Sequence, residues 1–416
     1  MAKTTHLIHH PYLPPLGFVA PQFPTYKAST VIFPSVSAMR SRDWKQKNGY
    51  TYGLHGTPSS FTLEERVASI EGASYCQLVP SGLAAIALVN LSLLKSGDEV
   101  LIPTNAYAPN LALVEGELFR YGITHQTYDA LSVDDLAQKL SSRSRLVWIE
   151  APGSVTMEFP DLESIVSLCK QRGVLTALDN TWGAGLAFNA FELNSKKTHH
   201  TQNPQNTLSN EALAVDISIQ ALTKFASGGG DVLMGSICTT NEALSSQIKL
   251  THMRLGLGVG SNDVETVLRS LPSMKLRYTA QDLTARALAT YLTLRPEIEQ
   301  VLHPALEKSP GHANWLKTCA QSDLAASIFS VIFKSEYSQN QVDLFCDSLK
   351  YFKIGYSWGG HMSLVVPYDL SVIRPLQAVE PKLKAGRLVR LCIGLEDFED
   401  LKLDIDKSLQ IAFRAS

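Results

Sequence analysis

Two short segments carry residues that could bind and use an organic cofactor. In LDNTWGAG, Asp179 ends an apolar run, where a buried carboxylate is unfavourable unless a positive group pairs with it. In SIQALTKF, Lys224 follows another apolar run and precedes three glycines at 228–230. A lysine amine that is withdrawn from water loses its proton more readily, and the neutral amine is a nucleophile toward carbonyl carbon. The two segments therefore suggest a reactive amine and a carboxylate that faces a cation.

A third segment, VPSGLAA, could bind a phosphate group. A helix is expected to open at Ser81-Gly82-Leu83, and the N–H groups of its first turn attract anions. Each segment alone has a more common structural explanation, with Asp179 as a cap or turn residue and Lys224 in a solvated loop. Together they provide a phosphate site, a carboxylate for a pyridine nitrogen and an amine for an aldehyde. Those are the needs of pyridoxal phosphate.

These residues need a rigid framework, and six apolar runs separated by helix-length segments predict one. The runs are CQLV (76–79), EVLIP (99–103), RLVWIEA (145–151), VLTALD (174–179), ISIQAL (217–222) and VLMGSIC (232–238). Since the runs are apolar on both faces, we expect buried parallel strands with crossover helices. Ligands of such sheets bind at the carboxyl ends of the strands, which is where Asp179 lies. The predicted fold class is α/β, with a large, mostly parallel sheet.

The whole chain is predicted to have three parts. Its 416 residues exceed what one hydrophobic core usually supports. Residues 1–55 show no periodicity and are interpreted as an arm that needs another surface, whereas residues 56–255 form the α/β domain. Helical segments and the strand-like runs 325–334 and 387–394 predict a smaller α+β domain over residues 256–416.

Composition argues against several classes of partner. With 37 Lys and Arg against 39 Asp and Glu, the chain has no charge excess for nucleic acid or an anionic membrane. The lack of a signal-like segment and six widely spaced cysteines predict a cytoplasmic protein with reduced thiols.

The polar stretch 194–210 predicts a surface loop. Its His199 and His200 have no acidic or cysteine partner nearby, so no metal site is expected.

Eight segments, in this order along the chain, resemble one enzyme family. They are YTYGLHGTP (50–58), EGASYCQLVPSGLAAI (71–86), TNAYAPN (104–110), EAPGSVTMEFPD (150–161), LDNTWGAG (178–185), DISIQALTKF (216–225), GYSWGGHMSL (355–364) and LVRLCIGLED (388–397). By these segments the chain is identified as a member of the Cys/Met-metabolism family of pyridoxal-phosphate-dependent enzymes. The resemblance implies the aspartate-aminotransferase-like fold (fold type I), pyridoxal 5'-phosphate as cofactor, and an amino-acid substrate. It also implies an active site built by a homodimer, with a homotetramer as the expected assembly.

The resemblance assigns the central roles to three residues. Lys224 matches the lysine that bonds covalently to the cofactor and later moves protons. Asp179 matches the partner of the pyridine nitrogen. Tyr107, in TNAYAPN, matches the tyrosine that stacks on the cofactor ring, although plain packing is the alternative for an aromatic residue in such a loop. All three are candidates for both catalysis and cofactor binding.

The remaining cofactor contacts concern the phosphate. Gly82, Leu83 and Thr223 match phosphate-binding positions of the family. Tyr52 matches a phosphate-binding tyrosine that reaches in from the neighbouring subunit. This last match is the reason to expect a site shared across a dimer.

The substrate pocket is also implied by the resemblance. Arg390 matches the arginine that binds the substrate α-carboxylate, a role that suits its planar fork of donors. Ser357 and Trp358, in YSWGG, match positions that line the pocket together with Tyr107. A turn for Ser357 and a core position for Trp358 are the alternative explanations.

Four positions depart from the family pattern. At the shared phosphate site Leu54 stands where an arginine is usual, so either His55 or backbone N–H groups must bind the phosphate instead. Ala221 stands where relatives often carry serine, Glu265 where a tyrosine is usual, and Met362 where a glutamate is common. The first two changes affect the phosphate, and the last two affect the expected identity of the substrate.

The forms EAPGSVTME and YSWGG resemble the β-lyase branch of the family. That branch performs α,β-elimination on cystathionine and gives homocysteine, pyruvate and ammonia, in methionine biosynthesis. A γ-lyase, a γ-synthase or a broad cysteine-S-conjugate β-lyase is the nearer alternative. A non-catalytic protein that binds pyridoxal phosphate is the more distant alternative, and the presence of Lys224, Asp179 and Arg390 argues against it.

Overall fold

The computed structural model describes residues 20–43, 49–194, 212–369 and 386–413, together with Thr5, Gly17, Lys47 and Leu383. The loop predicted at 194–210, with His199 and His200, lies outside these residues apart from Asn194. No helix in these ranges is long and apolar enough to cross a membrane. All six cysteines are buried and none forms a disulfide.

The described part of the N-terminal arm carries little regular structure. A short helix, α1 (Val36–Arg40), begins after Ser35, whose hydroxyl accepts from the Ala38 N–H at 3.1 Å. Ile32 is 90% exposed and no residue of α1 is buried. The assignment of residues 1–55 as an arm stays a prediction.

The first sheet has seven strands in the order β1-β7-β6-β5-β4-β2-β3. They are β1 (Tyr75–Val79), β2 (Glu99–Pro103), β3 (Thr124–Tyr128), β4 (Ser144–Glu150), β5 (Leu175–Asp179), β6 (Ile217–Gln220) and β7 (Gly235–Thr239). The strands β3, β2, β4, β5 and β6 pair in parallel. Four of the six predicted runs, those of β2, β4, β5 and β6, thus pair in parallel, and β1 runs in the same direction but pairs only with β7.

The prediction of a parallel strand is wrong for the run 232–238. Strand β7 pairs antiparallel with both β6 and β1. A parallel connection needs a crossover, usually a helix, but the chain returns from β6 to β7 through turns alone. Strand β3 was not predicted, because THQTY is polar and half-buried at the edge of the sheet.

Helices cover the first sheet and lead into the second. They are α2 (Pro58–Glu71), α3 (Gly82–Leu93), α4 (Ala108–Leu113), α5 (Val133–Lys139), α6 (Leu162–Arg172), α7 (Glu242–Leu255), α8 (Ser261–Ser270), α9 (Met274–Leu292), α10 (His312–Cys319), α11 (Gln339–Ser348) and α12 (Phe398–Phe413). Helix α2 begins at Thr57, which forms a reciprocal capping box with Ser60. The short 3-10 turn Leu271–Ser273, which contains Pro272, divides α8 from α9 as the proline predicts.

The second sheet has five strands in the order β10-β11-β12-β9-β8. They are β8 (Ile298–Leu302), β9 (Ile328–Phe333), β10 (Lys353–Ile354), β11 (Leu364–Tyr368) and β12 (Arg387–Cys392). The runs predicted at 325–334 and 387–394 are β9 and β12. This sheet, with α11 and α12 packed together, is the expected α+β part, and the exact domain bounds stay predictions.

Candidate active site

Lys224 lies in the turn between β6 and β7 and points toward the second sheet. Its Nζ donates to Ser357 Oγ at 2.7 Å. The same Nζ lies 5.6 Å from the centroid of the Trp358 ring, which packs edge-on against Phe225. Three residues that the sequence singled out therefore meet, although more than 130 positions separate Lys224 from Ser357.

The surroundings of Lys224 favour its neutral form. Burial, followed by the nearby charge of Arg390, lowers the pKa of Lys224 from its usual 10.5 to about 8, against the opposing influence of Cys392 and Asp179. At such a pKa a sizeable fraction of the amine is neutral near neutral pH. The lysine is therefore available as a nucleophile and as a base.

Asp179 is placed by the end of β5, beside Lys224. Burial raises the pKa of Asp179, while hydrogen bonds from Thr181 and the charge of Lys224 act in the opposite direction. The Thr181 N–H donates to Asp179 Oδ1 at 3.0 Å, and Thr181 Oγ1 accepts from the Ala221 N–H at 2.8 Å. Thr181 thus joins the turn that carries Asp179 to the turn that carries Lys224.

Tyr107 begins α4 and is held by Glu150 at the end of β4. The Tyr107 N–H donates to Glu150 Oε2 at 2.6 Å, and the Ser154 hydroxyl donates to Glu150 Oε1. Burial raises the pKa of the Tyr107 phenol, and the charges of Asp179 and Glu150 add to this, whereas Arg390 acts in the opposite direction. The phenol therefore lies among the charged groups of the site.

Glu150 is a site residue that the sequence reasoning did not single out. It directly neighbours Asp179 across the β4–β5 ladder. Its signal in the sequence is the one used for Asp179, a carboxylate at the end of an apolar strand. The side chain is 8% exposed, so its hydrogen bonds to Tyr107 and Ser154 are formed largely out of water.

Arg390 lies within β12, between Val366 of β11 and Ser330 of β9. Its residue is 7% exposed, and its Nη1 donates to the Ser154 carbonyl oxygen at 3.2 Å. Within the described ranges, no carboxylate lies within 4.0 Å of the guanidinium. A buried cation of this kind is well suited to an anionic ligand, because ionic groups are rarely buried without a partner.

Gly82 and Leu83 form the first turn of α3, where an α-helix offers no internal acceptor to the N–H groups. Ser81 caps this helix by accepting from the Ala84 N–H at 3.0 Å. A Cβ on Gly82 would lie 2.6 Å from the Ala221 Cβ, so the helix start packs closely against the Lys224 turn. The geometry therefore places a helix end suited to anions next to the turn that carries Lys224.

Thr223 is next to Lys224, but its hydroxyl already has partners. It donates to the Met234 carbonyl oxygen at 3.2 Å and accepts from the Met234 N–H at 3.1 Å. These bonds close the β6–β7 connection. A phosphate contact from this hydroxyl would need a different rotamer, and the assignment of Thr223 stays a prediction.

Tyr52 lies in the arm, and no hydrogen bond or ring contact links it to Lys224 or Asp179 in the described part of the chain. It pairs with Thr30 through an isolated β-bridge, and its ring meets that of His55 at 6.0 Å. Its side chain is 48% exposed at a cavity of about 250 Å³ that Leu54 and His55 also line. Its predicted action in a neighbouring subunit is not tested by a single chain.

The two departures expected near the substrate lie at the surface. Glu265 forms an ion pair with Arg269 at 2.7 Å, one turn along α8. Met362 is 45% exposed in the turn before β11. No group of three His, Cys, Asp or Glu side chains suited to a metal occurs among the residues that the structure describes.

The residues that meet here fit pyridoxal phosphate. Lys224 supplies an amine that is partly neutral, and Asp179 supplies a buried carboxylate whose raised pKa a cationic ring nitrogen would lower. Gly82 and Leu83 supply N–H groups for a phosphate. Arg390 supplies a buried cation near Lys224 that can bind a second anion. The observation that carries this fit is the close approach of the α3 start to the Lys224 turn.

Comparison with known proteins gives the same cofactor. The family model described as Cys/Met metabolism PLP-dependent enzyme matches residues 4–410. A cystathionine beta-lyase of Bordetella avium is 32% identical over 413 residues, which cover 98% of this chain and 96% of that protein. An L-alanine/L-glutamate racemase of Wolbachia pipientis is 30% identical over 401 residues, which cover 93% of this chain and 91% of that protein.

Solved structures share the fold. A cystathionine gamma synthase from Xanthomonas oryzae, in complex with cystathionine, superposes with a TM-score of 0.85 at 24% identity. The match covers 99% of this chain and 98% of that one. The predicted fold type I architecture is confirmed.

Proposed function

Because the chain belongs to the Cys/Met-metabolism family of pyridoxal-phosphate-dependent enzymes, we propose that it is a carbon–sulfur lyase that converts cystathionine to homocysteine, pyruvate and ammonia. The observation that carries the proposal is the meeting of Lys224, Asp179 and Arg390 in one buried site. A relative named cystathionine beta-lyase that aligns over 98% of the chain supports the same reaction.

Arg390 orients the substrate. Its fork of N–H donors binds the α-carboxylate, while the Ser154 carbonyl fixes Nη1 from the side of the first sheet. When it is bound, pyridoxal phosphate supplies an electron sink for the negative charge that develops at the substrate Cα. Asp179 supplies the carboxylate that keeps the ring nitrogen of that group protonated.

Lys224 moves the proton. Its amine, with a pKa of about 8, takes the proton from the substrate Cα when it is neutral. The Ser357 hydroxyl at 2.7 Å holds Nζ at a fixed place between the two sheets. Loss of the Cα proton is followed by loss of the thiol from Cβ, so the position of Nζ relative to Cα controls the elimination.

Ser357 holds an unusual backbone conformation. Its φ of 102° lies in the region that residues with a Cβ rarely adopt. Such a conformation costs about 1–3 kcal/mol, and it is often found where function requires it. Here it directs the hydroxyl to Lys224 and places Trp358 beside the same amine.

A shared site and a cytoplasmic location complete the proposal. Tyr52 acts in the neighbouring subunit of a homodimer, and two dimers form a homotetramer. The exposed apolar side chains of the arm support this, because Ile32 at 90% and Val36 at 57% exposure need a partner surface.

β-Elimination is proposed over γ-chemistry. Elimination from Cγ needs a second deprotonation, at Cβ, whereas elimination from Cβ needs only an aligned Cβ–S bond. The segment 150–158, which has the β-lyase form, supplies Glu150 and Ser154, and these link Tyr107 to Arg390. This segment therefore lies where it influences how the substrate is oriented.

Product analysis tests the reaction. Holoenzyme incubated with cystathionine is expected to release homocysteine and pyruvate in equal amounts. Cysteine and 2-oxobutyrate as main products would show a γ-lyase instead. Because one relative is named as a racemase, L-alanine is tested beside cystathionine, and rapid formation of D-alanine without elimination would contradict the proposal.

A further inference from the structure

Arg390 depends on neighbours for its orientation, since a long side chain loses much rotational freedom when it is fixed. The only hydrogen bond that its guanidinium forms with a described residue is the one from Nη1 to the Ser154 carbonyl oxygen. One such bond leaves the plane of the guanidinium undefined. A second contact must set that plane if the fork is to face a carboxylate.

Tyr368 provides this second contact. The guanidinium carbon of Arg390 lies 5.2 Å from the centroid of the Tyr368 ring, within the range of a cation–π interaction. The contact follows from the register of the strands. Val366 is directly opposite Arg390, so Tyr368 is its diagonal neighbour on the same face of the sheet.

The ring also lies close to the reacting groups. Burial raises the pKa of the Tyr368 phenol, the charge of Arg390 acts in the opposite direction, and Tyr356 and Tyr107 add smaller contributions to the rise. Tyr368 and Trp358 are both partly buried against the same core cluster. Tyr368 thus borders the part of the site where the proposed substrate carboxylate binds.

We propose that Tyr368 is a positioning residue that holds the guanidinium of Arg390 in the plane required to bind the substrate α-carboxylate. A ring face is suited to this task, because it supports the flat face of the guanidinium and leaves the edge with its N–H donors open. The inference rests on the proposed function only in taking an α-amino acid as the ligand.

The test measures ligand binding to the holoenzyme. L-Alanine has no leaving group at Cβ, so its binding is followed by the change it causes in the visible absorbance of the cofactor. Tyr368→Leu is expected to weaken binding by about 3- to 30-fold, the range of a partly buried cation–π contact. Tyr368→Phe, which keeps the ring face, is expected to bind as the native protein does. Tyr368→Met, of similar size to leucine but more adaptable, is the second variant if Tyr368→Leu does not fold.

Two comparisons show whether Tyr368 influences ligand binding by way of Arg390. In the Arg390→Ala background, Tyr368→Leu should add nothing, since residues that act through one contact are not additive. L-Alaninamide, which lacks the carboxylate, should bind the Tyr368→Leu and native proteins equally. Tyr351→Leu is the matched control, because it removes a tyrosine that lies 5.3 Å from Lys350 at the surface.

Unchanged L-alanine binding in both Tyr368→Leu and Tyr368→Met would overturn the inference, as would an equal loss in Tyr368→Phe. Neither result depends on which products are formed from cystathionine. If the product analysis fails while the L-alanine results hold, the proposed reaction is wrong and the role of Tyr368 stands.

Discussion

Lys224 and Arg390 reach the same site from two regions that are built differently. Lys224 lies in a turn between antiparallel strands, and its side chain is held by Ser357 from the loop between β10 and β11. Arg390 lies within a strand that is paired on both sides, and its side chain is held by Ser154 and Tyr368. The turn brings the amine to Ser357, whereas the paired strand keeps the guanidinium in place. The region that does chemistry is thus separate from the region that binds.

The sharpest test of this division is Lys224→Ala. Turnover is expected to fall by more than about 10³-fold, because both the nucleophile and the base are lost. The native protein treated with borohydride should carry the cofactor covalently, and the variant should not. Lys353→Ala, at an exposed lysine on β10, is the control. A reducible adduct that persists in Lys224→Ala would mean that another lysine carries the cofactor.

Arg390→Ala should affect binding and leave the cofactor in place. Truncating a buried charge that pairs with an anion costs about 2–5 kcal/mol, so kcat/KM should fall by about two to three decades. The visible absorbance of the bound cofactor should remain. Arg387→Ala, three residues earlier in the same strand, removes an arginine that instead contacts Tyr337 and Gln339. Equal losses in the two variants would show that strand stability, not ligand binding, is measured.

The next prediction concerns Tyr52 and its action in a neighbouring subunit. Tyr52→Phe and Lys224→Ala are each expected to be nearly inactive. If Tyr52 serves the neighbouring chain, mixed dimers contain one complete site, and equal mixing should restore about a quarter of the native activity. The measurement is turnover after subunit exchange, with mass spectrometry to verify mixed dimers. Verified mixed dimers without recovery would place Tyr52 in the site of its own chain.

The smallest expected effect is the influence of the Arg390 charge on the pKa of Lys224. Recombination of apoenzyme with pyridoxal phosphate needs a neutral Lys224, so its rate should rise with pH and level off above about 8. The charge of Arg390 contributes to the low pKa of Lys224. In Arg390→Ala the midpoint should therefore move to higher pH, while in Arg387→Ala it should not. An unmoved midpoint in Arg390→Ala would show that burial alone lowers the pKa.

Local sequence patterns predicted the strands of the first sheet, with two exceptions that have physical reasons. Apolar runs identified β2 and β5 because strands buried on both faces lack polar alternation. Strand β3 was not predicted because an edge strand needs few apolar residues. The direction of β7 was misjudged because pairing direction depends on the connection, and turns replaced the expected crossover helix.

The sequence by itself determined which residues are candidates for chemistry, since a strand-end Asp179, a post-strand Lys224 and a helix opening at Gly82 are local signals. It did not determine which residues lie beside them in the folded chain. Glu150 gained its role by lying beside Asp179 in the sheet, and Tyr368 by lying diagonally across from Arg390. Only the tertiary structure decided these contacts, and with them the pKa of Lys224. Burial and charge are set by groups that are distant in the chain and adjacent in space.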